Sequence, residues 1–130
     1  MKQNKMNKKS FDLFKKRCDF FIEKFGLVDW EIHIEKEIDL KESQRVENCR
    51  AFTSCSIEDK LACIVVSDVW DVELNNYWLS KIAFHECLEI LFWSITEKFK
   101  SKNRAEIIHD IIRVLENTLF PFYYDSGFKK

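Results

Sequence analysis

The chain has 130 residues, 46% of them hydrophobic and 15% aromatic, with two glycines and one proline, which suits one domain with a real core and excludes a disordered or collagen-like protein. A formal net charge of -1 supplies no global basic field for nucleic acid. Five cysteines (Cys18, Cys49, Cys55, Cys63 and Cys87) lie singly with no CxxC pair, as reduced thiols do, and no apolar run is long enough to span a membrane, so a cytoplasmic location is expected.

Residues 1–9 read as a basic N-terminal tail with no apolar signal core behind it, and residues 10–130 as a single domain. Ser10 is the expected N-cap of a first helix. Phe11, Phe14, Cys18, Phe21, Ile22 and Phe25 recur along it at helical spacing, and Gly26 is a natural stop. In "WEIHIEKEI" Trp30, Ile32 and Ile34 alternate with Glu31, His33 and Glu35, the pattern of a half-buried strand with an acidic outer face. "DLKESQRVEN" is expected to be a loop. "CRAFTSCSI" and "LACIVVS" then read as a hairpin around Glu58, Asp59 and Lys60, whose turn lacks glycine. Asn75 or Asn76 can cap a second helix running from about Tyr77 to Lys98. "KSKNR" breaks that pattern, and "AEIIHDIIRVLENTLF" forms a third helix expected to stop before Pro121. The order predicts an α+β fold with the helices on one face of a small sheet.

The second helix carries "FHECLEILFW", an apolar run interrupted by His85, Glu86 and Glu89. Positions i and i+4 lie about 40° apart on a helix, so His85 and Glu89 project together while Glu86 points about 100° from His85. This is the geometry of the HExxH zinc helix with a carboxylate, a competent zinc ligand, in the second ligand position. The third helix is expected to pack through Ile107, Ile108, Ile111, Ile112, Leu115 and Leu119, leaving Glu106, His109, Asp110 and Arg113 outside that face. If the last two helices form a hairpin, His109 can supply a third ligand, and two histidines with one carboxylate make a catalytic zinc set. The same spacing also suits a solvated helix edge, and spacing alone leaves both readings open. His33 reads as a surface residue and the cysteines as core fillers. Tyr123 and Tyr124 read as packing aromatics, or as donors reaching the site.

Four segments in this order resemble one family. "FGLVDWEIHI" resembles its helix end and first strand, and "CRAFTSCSIEDKLACIVVSDVW" its hairpin. "IAFHECLEILFWSI" resembles its active-site helix, and "AEIIHDIIRVLEN" its closing helix with the terminal Leu-Glu. The family is that of the phage metallopeptidases, small zincins related to SprT-like proteins and minimal gluzincins. The resemblance implies a zincin-like minimal metallopeptidase domain that uses Zn2+ to hydrolyse a peptide or protein substrate, in the host-cell cytoplasm if phage-encoded. Carried over, His85 and Glu89 take the helix ligand positions and Glu86 that of the catalytic base. His109 falls at the downstream ligand, with Asp110 one residue and Glu106 one turn away as alternatives. Glu89 stands where the family more usually has histidine, which should leave zinc less positive and its water less acidic. The cleft is expected between the active-site helix and "LACIVVS" as an edge strand, where an extended peptide can add as a further strand. A non-catalytic protein-interaction module on the same scaffold is the alternative. A nucleic-acid role, suggested by the basic start and "EKFKSKNR", is set aside because both read as solvated ends.

Overall fold

Asn7, not Ser10, caps the first helix. In a computed structural model that describes residues 4–37, 50–97 and 102–128, the Asn7 side chain accepts the Ser10 backbone N–H at 2.8 Å. The helix starts early because the segment before it is anchored. Met6 is buried in the core and its N–H donates to the Asp68 carbonyl at 2.6 Å. β1 (Asn4–Lys5) pairs antiparallel with β5 (Val69–Trp70). Residues 4–9 therefore belong to the domain and are not a free tail, since Met6 fills a core position and the backbone before it has a partner.

α1 (Lys8–Lys24) ends at Gly26, whose φ of 72° is the left-handed conformation a helix stop uses. The sheet contains β2 (Glu31–Glu37), β3 (Ala51–Ser56) and β4 (Leu61–Ser67) in the order β2-β4-β3. β3 and β4 form the expected antiparallel hairpin, with Ser56 opposite Leu61. Lys60 takes a φ of 52° to close the glycine-free turn. β2 joins the other side of β4 in parallel, His33 level with Cys63. "LACIVVS" is thus the central strand and not an edge, which corrects the expected cleft. A parallel pair needs a long crossover, and this arrangement leaves β2 and β3 at the two edges, β3 being the one packed against the following helix. The expected loop at 39–48 lies outside the described residues, as does Cys49.

α2 (Asn76–Ile95) is capped by Asn75, which accepts the Trp78 N–H at 2.9 Å, and α3 (Arg104–Tyr123) returns along it. Arg104 ties the two together by donating to the Trp93 carbonyl and to Thr96 Oγ1. α3 does not stop before Pro121 but runs through it into a π-helical turn, Tyr124–Phe128. Proline deprives only the Asn117 carbonyl of a helical partner. Asn117 is exposed, so water can take that bond, while buried Phe120 and Phe128 hold the chain on either side. The buried line of α3 is also narrower than expected: Ile108 and Ile112 are buried, Leu115 and Leu119 partly so, and Ile107 and Ile111 are exposed.

The core joins the inner sheet face (Ala62, Ile64, Val66) to an aromatic cluster in which Phe21 meets Phe84 edge-on at 5.2 Å. Tyr123 packs edge-on against Phe20 and Phe21, and Tyr124 against Tyr77, so both tyrosines act as packing aromatics. Among the described residues no helix is long and apolar enough to cross a membrane.

Candidate metal centre

α2 is apolar on nearly every side, the mark of a helix buried between other elements. α1, α3 and β3 surround it, which makes each of its polar side chains costly and therefore informative. Glu86 is the extreme case, a carboxylate only 4% exposed. It faces β3, where Thr53 Oγ1 donates to Glu86 Oε1 at 2.7 Å. Thr53 reaches it because strand parity aligns it with Ile64, on the helix-facing side of the sheet.

His85 and Glu89 face α3 instead. Their nearest approach is 3.7 Å, between His85 Nε2 and Glu89 Oε2. The antiparallel packing of α3 brings His109 Nε2 within 3.1 Å of Glu89 Oε1 and stacks the two imidazoles with centroids 6.0 Å apart. One ligand atom from each of His85, Glu89 and His109 lies within 4.8 Å of the other two, close enough to share one ion. Among the described residues this is the one such group. Asp110 is exposed and pairs with Arg113, and Glu106 is exposed; neither joins it.

A further residue completes the arrangement. His85 Nδ1 lies 3.1 Å from Glu116 Oε2, so its N–H donates there and Nε2 is left facing Glu89. A carboxylate on the far nitrogen of a ligating histidine fixes the tautomer and raises the basicity of the ring. Sequence reasoning gave Glu116 no role. The signal was present, since Glu116 follows His109 by two helical turns and shares its face. Thr53 had no such signal, because only the strand register assigns it.

Burial works against a charged His85, but the bond to Glu116 and the charges of Glu86, Glu116 and Glu89 outweigh it and raise its pKa to about 9. Burial is the main cause of the opposite problem at Glu86. Glu89 and Glu116 add to it, His85 and Thr53 oppose it, and its pKa stands at about 7. Three carboxylates around one imidazolium form a cluster with excess negative charge, which a divalent cation would neutralise. Two imidazole nitrogens and a carboxylate oxygen, with a second carboxylate orienting one ring, form a donor set that could hold a metal ion.

Other candidates fall elsewhere. His33 is exposed on the outer sheet face and pairs with Glu31 at 2.6 Å. Cys18, Cys55, Cys63 and Cys87 are free thiols, Cys18 and Cys87 lying together in the core. No family model, curated protein or solved structure matches the chain.

Proposed function

We propose that this chain is a zincin-type metallopeptidase, with zinc held by His85, Glu89 and His109 and with Glu86 as general base. The observation that carries this reading is the pairing of two features on one helix. A three-donor group opens on one side, and a buried carboxylate, held by an edge strand, stands beside it. A solvated helix edge would have neither the third donor from another helix nor the buried Glu86.

When bound, zinc supplies Lewis acidity that polarises the scissile carbonyl and makes water acidic near neutrality. Glu86 takes the proton of the attacking water and delivers it to the leaving amine. Thr53 fixes one carboxylate oxygen of Glu86, leaving the other to handle the proton. Among the described residues β3 pairs only with β4, so an extended substrate could add along its outer edge from Phe52 to Ser56. The helix–sheet–helix–helix order, with an antiparallel edge strand next to the ligand helix, supports the zincin reading and the resemblance to the phage metallopeptidases.

The test is zinc analysis joined to a peptidase assay on Glu86→Gln. That substitution keeps size and a hydrogen-bond acceptor for Thr53 but removes the base. Zinc content should stay near that of the wild type while turnover falls by about 10²–10⁴-fold. Unchanged turnover refutes the assignment of the base. A wild type that holds zinc but cleaves no peptide favours the non-catalytic interaction module.

A further inference from the structure

A second site lies at the other end of α2. α1 turns Leu13, Lys16, Arg17 and Phe20, at i, i+3, i+4 and i+7, toward an open pocket closed on its far side by Gly127 and Phe128. Its volume of about 490 Å³ is within the roughly 300–1,000 Å³ of small-molecule sites. Asn76, on its rim, is nine residues before His85, roughly 13 Å along the helix axis.

Arg17 is fixed in this pocket by neutral groups. Its Nε donates to Ser80 Oγ at 3.1 Å and its Nη2 to Asn76 Oδ1 at 2.9 Å. Its guanidinium lies 4.1 Å from the centroid of the Phe128 ring. Asn76 in turn donates to the Phe128 carbonyl at 2.6 Å, which pins the π-helical turn against the arginine. Among the described residues Arg17 and Lys16 make no ion pair, and no carboxylate lines the pocket. Nη1 of Arg17 has no hydrogen bond there. Since no buried side-chain donor is left unpaired, that nitrogen is open to solvent. The result is a guanidinium with two nitrogens held and the third presented, beside an ammonium and apolar walls. A fork held in this way loses little entropy on meeting an anion.

We propose that this pocket binds a small organic anion with an apolar body. The charged group meets Arg17 Nη1 and Lys16, and the body lies against Leu13 and Phe20. A phosphate or a carboxylate would satisfy the cations equally in kind, since both present paired acceptor oxygens. This site does not depend on the metal centre.

Phenyl phosphate and phenylacetate, each titrated into the full chain, test the proposal and distinguish the two headgroups. The readouts are calorimetry and the NMR shift of the Gly127 amide. At least one aryl anion should bind saturably and move that amide, while inorganic phosphate binds about tenfold more weakly and benzyl alcohol does not bind. Arg17→Lys keeps the charge and loses the fork, and should weaken binding by about tenfold. Lys16→Gln should weaken it severalfold and rise less steeply in Kd with added salt. A silent Gly127 amide with both aryl anions overturns the proposal. Equal binding of bare phosphate or benzyl alcohol does the same, since either removes half of the recognition. Undiminished binding in Lys16→Gln also overturns it, and this variant keeps the test valid if Arg17→Lys does not fold.

Discussion

Two histidine–carboxylate pairs in this molecule look alike on paper. His33 and Glu31 meet at 2.6 Å, and His85 and Glu116 at 3.1 Å. The first pair is two residues apart on an outer strand face, with side chains 54% and 71% exposed. The second joins two helices, with side chains 27% and 16% exposed. Water screens the first pair, and a surface ion pair of this kind contributes about 0–1 kcal/mol. The second sits among Glu86, Glu89 and His109, where little water can dilute their mutual fields, and both His85 and Glu86 are shifted in pKa. Distance alone does not make a site. Convergence of several elements on a partly dry point does.

The largest expected effect breaks the symmetry between the two histidines. Zinc at about a hundred times its Kd should stabilise the wild type by about 2.7 kcal/mol. That gain should vanish in His85→Ala, along with bound zinc, and persist in His33→Ala. Thermal melts with and without zinc, beside metal analysis, check both arms. Retained zinc in His85→Ala would remove this residue from the ligand set.

Next in size is Glu89, the carboxylate between the two imidazoles. Glu89→Ala should empty the site, whereas Glu89→His restores a third imidazole and should keep zinc. The exchange raises the charge of the site by one unit, so the pH profile of peptide hydrolysis should move to lower pH. Full zinc in both variants would make Glu89 a bystander.

Glu116 sharpens the comparison further, because it pairs with His85 as Glu31 pairs with His33, but in a more buried setting. Glu116→Ala should cost about 10–100-fold in zinc affinity, measured by competition with a chelator. Glu116→Gln, which keeps an acceptor without the charge, should fall between it and wild type. A Glu31→Ala variant should leave zinc affinity unchanged.

The smallest effect concerns the metal-free protein. Folding raises Glu86 from an ordinary 4.5 to about 7 and His85 from 6.5 to about 9. Between about pH 4.5 and 9 the folded chain therefore binds more protons than the unfolded chain. Its stability should fall as pH rises through that window. Denaturant melts of chelator-treated protein would show this slope. His85→Ala should flatten its upper part, from about 6.5 to 9, and His33→Ala should leave it in place.

The sequence by itself determined what depends on short spacing. The 3.6-residue period sets His85 and Glu89 together and turns Glu86 away, and alternation exposes His33 on β2. The hairpin of β3 and β4, the Gly26 stop and a cap at Asn75 or Asn76 are equally local, because each is specified by neighbours in the chain, and the structure selects Asn75. Tertiary structure decided what depends on partners far away. Met6 and its contact with Asp68 drew residues 4–9 into the fold and moved the first cap to Asn7. The parallel pairing of β2 made β4 the central strand, a choice that alternating hydrophobicity cannot make because it fixes the face of a strand and not its neighbour. Pro121 stays helical because Phe120 and Phe128 are anchored in a core no local rule describes. Glu116 and Thr53 reach the site only through the antiparallel register of α2 with α3 and the strand register of β3. Those registers are set by packing summed over whole elements, so no short stretch of sequence contains them.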